Sequence, residues 1–448
     1  MFENVQQQSS SSLIAPQESI KRERWQKHSL WLSAIRADGR GLFEKMGLPN
    51  LRQEEWKYTD VSGLGKQTFS SPTPLAHPLP GSVLQDMLFS RPLSPLRLVF
   101  VNGFYSPSLS QAAGLPAGVE IGSLGETLNR NHPLLEKHLA AYAKPEENSF
   151  VALNNAFIED GAFVYIPEGI RLNHPVHLVY ISTKSSKNKD DKPGAHHPRN
   201  LVIAEKGAAV TLIEDYVGNS SSPYLNNPVT EIVVDDSAEV DHYKLQRESK
   251  EALHIATIEV LQGKGSHFSS NSVTFGGLLT RNNIHSYLAG TGSSCTFNGL
   301  FIIKDTQHVD NHTLIRHSAP DCRSSELYHG ILDDRARGVF NGKIYVEADA
   351  RKTDSQQTSR SLMLSNDSRV DTKPQLEIFA DDVKCNHGAT VGQIDTNALY
   401  YLRSRGVAAA DARKMLTLGF GQQVTSRFKL EPLREAVESF LANRLEEW

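Results

Sequence analysis

Between residues 205 and 293 the chain returns four times to one short polar phrase: Glu205-Lys206-Gly207-Ala208, Asp235-Asp236-Ser237-Ala238, Gly263-Lys264-Gly265-Ser266 and Gly290-Thr291-Gly292-Ser293. The interval is about 27 to 30 residues, the scale of a solenoid repeat. Beyond it, Asp333-Asp334-Arg335, Ala348-Asp349-Ala350, Asn366-Asp367-Ser368 and Asp381-Asp382-Val383 recur at about half that interval. The runs between these corners alternate as strands do. Ala256, Ile258 and Val260 share one face; so do Phe340, Gly342, Ile344 and Val346. Many evenly spaced strands with no helical period between them mean a sandwich, a barrel or a β-solenoid. The recurring corners favour stacked coils that each bury the next, with a sandwich as the alternative on these grounds.

Working outward from this region, residues 151–395 form the β core. Residues 1–150 read as a mixed, largely helical region with a disordered start. Met1 to Ser12 is rich in Ser and Gln, and Glu18 to Phe43 has a helical pattern with Ile20, Trp31, Leu32 and Ile35 as apolar positions. Pro-rich loops follow from Ser71 to Pro95, then a strand from Leu96 to Val101 and a helix near Ser123 to Tyr142. One insertion interrupts the β region: Ser182 to Asn200 is rich in Lys, Ser, Asp, Pro and His and reads as a mobile, solvated loop, although His196-His197 has metal-binding residue types. Residues 396–448 are helical. Asp395 or Thr396 caps a first helix that stops at Gly406, a second runs from Ala409 to Leu418 and stops at Gly419, and a third begins near Pro432. Its stripe is Leu433, Ala436, Val437, Phe440, Leu441 and Leu445.

Composition excludes several classes. With 448 residues, 39% hydrophobic and 22% charged, the chain is ordinary globular material. A net charge of −4 offers no basic field for a nucleic-acid backbone. No apolar run approaches a bilayer span of about 20 residues. Cys295, Cys322 and Cys385 make a sparse, odd set that fits free thiols in a reducing compartment, and the first residues have no secretory pattern. A cytoplasmic location is the expectation.

Common catalytic motifs are missing. Gly63-Leu64-Gly65-Lys66-Gln67 lacks the spacing and the Ser or Thr of a P-loop, so no nucleotide site is expected on this chain. There is no G-x-S-x-G, H-E-x-x-H or C-x-x-C. His308, His312, His317 and His329 cluster in sequence, but no cysteine pair accompanies them as in a zinc finger. Cys295 alternates with Phe297 and Phe301 and reads as a small core residue; Cys322 sits at a polar corner beside Arg323. Cys385 and His387, in Asp381-Asp382-Val383-Lys384-Cys385-Asn386-His387-Gly388, are two apart and share a face if extended. A thiolate and an imidazole suit iron or zinc, but they make half a tetrahedral site. Either another chain supplies the rest, or the two are surface residues at the end of the last coil.

The run from Phe379 through Cys385 and His387 to Gly392, continuing to Tyr401-Leu402-Arg403-Ser404-Arg405-Gly406, resembles the SufB/SufD family. Arg52-Gln53-Glu54-Glu55-Trp56-Lys57-Tyr58-Thr59 and Gly388 after His387 are similar to its SufD branch. The resemblance spans nearly the whole chain beyond about residue 17. It implies a right-handed parallel β-helix flanked by N-terminal and C-terminal helical regions, and a non-catalytic scaffold subunit for iron–sulfur cluster assembly. It implies pairing with a SufB-like paralogue through the C-terminal end of the β-helix, docking of a SufC ATPase on residues 396–445, and a homodimer in isolation. Cys385 and His387 would then face the paralogue and hold a transient iron–sulfur cluster or iron shared with it, with His387 the stronger candidate. Sulfur carriage is not assigned to Cys295 or Cys322. The rival expectations are an exported-type β-helix enzyme acting on polysaccharide and a SufB-like homo-oligomeric cluster scaffold.

Overall fold

The computed structural model describes residues 13, 29–70, 79–89, 93–183, 192–218 and 223–446. The proposed disordered start and the first half of the Glu18–Phe43 helix lie outside them. Two mostly parallel sheets, of ten and eleven strands, face each other along a β-solenoid. The register shows the repeat directly. Val210, Val240, Phe268, Cys295, Ser324, Ser355 and Cys385 stack in one column, one per coil. The step varies from 27 residues (Phe268 to Cys295) to 31 (Ser324 to Ser355).

The corners recur because each needs the same backbone. Gly207, Ser237, Gly265, Gly292, Asp321, Lys352 and Asp382 have φ between 55° and 73°, a left-handed conformation that Gly, Asp and Asn adopt most readily. Successive corners also hydrogen-bond: Gly207 N–H donates to Asp236 O at 2.9 Å, Ser237 to Lys264 O at 2.8 Å and Gly265 to Thr291 O at 3.0 Å. A small inward residue follows in most of them: Ala208, Ala238, Ser266, Ser293, Cys322 and Thr353 are all buried. Cys322 is therefore the small corner residue of its coil, not an exposed thiol.

Both predicted faces point inward. Ile258 and Val260 join Phe340, Ile344 and Val346 in the largest apolar cluster, together with Cys295 and Cys322. The bore is not uniformly apolar. Lys244 Nζ donates to His254 Nε2 at 2.8 Å and to Asn282 Oδ1 at 2.5 Å, and His254 Nδ1 meets Glu248 at 2.7 Å. Burial pulls Lys244 down to about 8. Each buried charge here has a partner, as a low-dielectric interior demands.

Eight helices occur among the described residues: α1 Leu30–Met46, α2 Gly81–Met87, α3 Leu124–Asn129, α4 Pro133–His138, α5 Ser149–Ala156, α6 Thr396–Ser404, α7 Ala409–Thr425 and α8 Glu431–Glu446. Leu96–Val101 is a strand, as its pattern predicts, and pairs with Val176–Ser182. The predicted 123–142 helix is instead α3 and α4, broken where Asn131 takes φ 50° and Pro133 begins a new first turn. Helix α2 also replaces part of the Pro-rich stretch expected to be loop.

Two further expectations are corrected. Of the loop expected at 182–200, residues 184–191 lie outside the described set, but residues 195–200 are not solvated. Ala195 pairs with Leu225, His196 and His197 are buried, and His197 stacks on Phe157 at 5.2 Å. Their partners lie about 30 residues further along the chain, at Tyr224, Leu225 and Asn227, or about 40 before, at Phe157, which local composition does not reveal. The second C-terminal helix also does not stop at Gly419. It runs to Thr425, since Gly419 does not take the left-handed φ of a helix-ending glycine, and at Gly421 a Cβ would sit 2.9 Å from Leu441 Cδ2.

Candidate functional site

The solenoid ends on two strands without an outer neighbour. Arg369–Ile378 is the last strand of the eleven-stranded sheet and Lys384–Gly392 the last of the ten-stranded one. Both are exposed or half-buried along their length, unlike the strands behind them. Ile378, Phe379 and Val391 are exposed apolar residues at this end, Phe379 to 62%.

Cys385 and His387 lie on this last strand. Register places Cys385 beside Ser355, and His387 beside Gln357. Ser355, Gln357 and Ser359 are buried while Gln356 and Arg360 are exposed, so their column faces inward. Cys385 and His387 continue that column at the open end: Cys385 is half-buried against the main core, and His387 is exposed. Burial first, and Asp354 second, push the Cys385 thiol up. The thiolate is therefore a smaller fraction than for a free cysteine, and an added positive charge such as a metal ion would favour it.

Behind His387 the column stays polar. Gln357 Nε2 donates to Glu326 Oε2 at 2.7 Å, and the missing side chain of Gly342 makes room for that amide: a Cβ there would lie 2.2 Å from Gln357 Nε2. Burial raises Glu326 to about 7.

Among the described residues no group of three or more His, Cys, Asp and Glu side chains could hold a metal ion. The four clustered histidines are dispersed. His308 and His312 face the N-terminal region, where His308 Nε2 meets Thr59 Oγ1 at 3.0 Å and His312 lies 2.9 Å from Asp310 and 3.2 Å from Glu55. His317 is buried in the bore against Ser324, at 2.9 Å, and His329 meets Phe420 O at 3.0 Å. Cys295 is buried deep enough that its thiol is held far above the usual range.

The C-terminal helices divide into a buried and an open part. Leu433, Val437, Leu441 and Leu445 of α8, with Val424 and Phe428, pack on Tyr243, Val273, Leu300 and Ile331 of the ten-stranded sheet. The apolar stripe of the third predicted helix is thus consumed by the solenoid. Helix α6, capped by Asp395 through its bond from Asn397 N–H at 2.8 Å, buries nothing. Tyr400 and Tyr401 on it, and Met415 on α7, are exposed.

The N-terminal Trp motif is a clamp, a role its sequence alone does not disclose. Trp56 is buried beneath Arg281, whose Nη1 donates to Asp310 Oδ2 and to Glu55 O, each at 2.7 Å. Thr59 Oγ1 donates to the same Asp310 carboxylate at 2.5 Å, and Lys373 pairs with Glu54.

Chains similar in sequence to this β-solenoid, with its Trp clamp, half-buried Cys385 and exposed His387, are known. Residues 185–420 match the family model for the SUF system FeS cluster assembly SufBD core domain, and residues 18–178 match that for the SufBD protein N-terminal region. The chain is 33% identical over 401 residues to the iron–sulfur cluster assembly protein SufD of Escherichia coli, covering 90% of each chain. It is likewise 33% identical over 401 residues to an iron–sulfur cluster assembly SufBD family protein of Synechocystis, covering 88% of this chain and 86% of that one. A chloroplastic protein of Arabidopsis thaliana is 27% identical over 419 residues, 93% of this chain and 87% of that one. The chain belongs to the SufB/SufD family and is most like its SufD members.

Proposed function

We propose that this chain is a non-catalytic scaffold subunit of SUF-system iron–sulfur cluster assembly. It pairs with a SufB-like paralogue through the open end of the solenoid and takes the SufC ATPase on α6 and the outer face of α7. The observation that carries the pairing is that end itself: two unpaired parallel strands beside exposed Ile378, Phe379 and Val391. Unpaired strand edges with apolar residues are templates for another chain. Cys385 and His387 lie on the same strand, so a partner docked there would meet both. Two ligands from this chain leave the rest of a tetrahedral iron site to the paralogue. Iron or a nascent cluster is cargo in this reading, held between subunits.

The C-terminal helices support the ATPase assignment by what they leave uncovered. Tyr400, Tyr401 and Met415 are large apolar or amphipathic side chains on an exposed helical surface, the composition of an interface core. The polysaccharide-enzyme reading requires corner aspartates free to bind calcium. Asp236 Oδ1 instead accepts the Lys264 N–H at 2.7 Å, and Asp305 pairs with Lys250 at 2.8 Å.

The test is co-expression with a SufB-like and a SufC-like partner, anaerobic purification and an absorbance spectrum. His387→Ala is expected to leave the three-chain complex intact and to lower the cluster absorbance. Unchanged absorbance would remove His387 from the site, and failure of the wild-type chains to co-purify would remove the scaffold reading. A homo-oligomer that holds a cluster alone would favour the SufB-like alternative.

A further inference from the structure

The register of the eleven-stranded sheet stacks Leu253, Leu279, His308, Arg337 and Arg369 in one column, one residue per coil. At about 4.8 Å per strand the column is roughly 19 Å long. It runs from two leucines, through a histidine, to two arginines. The N-terminal segment around residues 51–67 crosses in front of it, and between the two lies a cavity of about 560 Å³. That is the size of a small-molecule site.

The opposite wall repeats the gradient. Val61 and Leu64 belong to the same apolar cluster as Leu253 and Leu279, so one end of the cavity is greasy. Lys57 lines the same cavity as Arg337 and Arg369. These cations are not equivalent. Arg369 grips Asp371 through two N–H groups, at 3.0 and 2.9 Å. Arg337 and Lys57 pair with no carboxylate among the described residues. His308 is committed to Thr59. At the apolar end, Gln67 Oε1 is buried and accepts no hydrogen bond. An unmet acceptor in a lined cavity is a cost that a donor on a bound molecule removes.

We propose that this cavity binds a small organic anion with an apolar body, its acid group on Arg337 and Lys57 and its body against Leu253, Leu279 and Leu64. With Arg369 neutralised by Asp371, the lining leaves Arg337 and Lys57 against one further carboxylate, Asp60, a net positive charge that selects for an anion. The leucine end removes apolar surface of the bound molecule from water. Gln67 accepts from an N–H or O–H on that body. The site is separate from the open end of the solenoid, and it stands whether or not His387 meets iron.

The experiment is a fluorescence titration of the full-length chain with 1-anilinonaphthalene-8-sulfonate and with N-phenyl-1-naphthylamine, the same body without the sulfonate. The expected result is one-to-one binding of the sulfonate, at least tenfold tighter than the neutral probe. Arg337→Gln combined with Lys57→Gln, both at exposed positions that leave the core untouched, is expected to erase that tenfold preference and leave the neutral probe's affinity unchanged. Equal affinity for the two probes in the native chain, absence of sulfonate binding, or a preference that survives the double substitution would each overturn the proposal. The last would place the sulfonate on another surface, such as Ile378 and Phe379.

Discussion

The guanidinium carbon of Arg281 lies 3.9 Å from the centroid of the Trp56 ring, and the same guanidinium is bonded to Asp310. One buried cation thus joins the N-terminal segment to two consecutive coils. Removing it leaves the Asp310 carboxylate with less of the compensation that holds it ionised well below the usual carboxylate range. Arg281→Leu is expected to cost about 3–5 kcal/mol in urea unfolding, the loss typical of breaking one side of a buried pair. Trp56→Ala is expected to cost a similar amount through lost packing. A loss under about 1 kcal/mol for both would mean the clamp is ornamental.

Glu326 gives the solenoid a pH dependence of known sign. Its carboxyl stands at about 7 when folded, raised by burial from an ordinary value of 4.5. The folded state therefore holds a proton that the unfolded chain releases, and stability falls as pH rises from 4.5 through 7. The loss is on the order of 3 kcal/mol at most. Glu326→Gln keeps an acceptor for the Gln357 amide and should flatten this slope in unfolding curves taken between pH 5 and 8.

His329 acts in the opposite direction. Burial lowers it to about 4, and its ring stacks on Phe420 of α7 with centroids 4.4 Å apart. The unfolded imidazole takes a proton near 6.5, so stability is lost as pH falls from 6.5 towards 4. The loosening should begin at α7, read as faster amide exchange there than in the solenoid. His329→Gln should remove that part of the acid response, and unchanged α7 exchange in the variant would argue against it.

Gly421 sets how closely α7 approaches α8. With Leu441 Cδ2 at 2.9 Å from its Cβ position, Gly421→Val forces the helices apart and is expected to destabilise the chain by about 1–3 kcal/mol. Gly419, with nothing within 4 Å of its Cβ position, is the control: Gly419→Ala should stabilise slightly through helix propensity. Thermal unfolding of the two variants distinguishes a packing glycine from a helix stop.

The three thiols should differ in reactivity. Cys295 and Cys322 are buried and Cys385 is half-buried. A disulfide reagent is expected to titrate one thiol in the native chain, more slowly than a free cysteine at the same pH because the Cys385 thiol is raised. All three should react in denaturant. Fast labelling of two or more in the native chain would contradict the burial.

The sequence discloses this fold where one local need recurs. Each corner requires a left-handed residue and usually a small one after it, so Gly207-Ala208 and Ser237-Ala238 are visible without any partner. Leu96–Val101 and the stripe of α8 are legible for a similar reason: period and boundary both lie within the segment. What stayed hidden depends on contacts across coils. Lys244 lies between Tyr243 and Leu245, and nothing in that local run shows that it points into the bore, where His254 and Asn282 accept its hydrogen bonds. His196 and His197 lie among polar residues, and their burial is decided by Tyr224 and Asn227, about 30 residues away. Gly419 reads as a terminator from sequence, but the helix runs through it, and the glycine that matters for packing, Gly421, is marked only by the leucine pressed against it. Cys385 and His387 are readable as a pair sharing a face at the end of the last coil, but the buried column of Ser355 and Gln357 that they continue is not.

The two ends of the solenoid are unlike, and that limits how it can grow. At the far end from Cys385 the sheets finish in short antiparallel strands, Phe104–Tyr105 and Glu120–Ser123, with α3 packed behind the latter. Among the described residues, only the Cys385 end offers parallel edges to another chain. In the pairing proposed above, joining two such open ends would leave neither chain a further parallel edge among the described residues, so the union would close as a pair. Under that pairing, a stack of strands able to template its own fibre would be limited to a single seam.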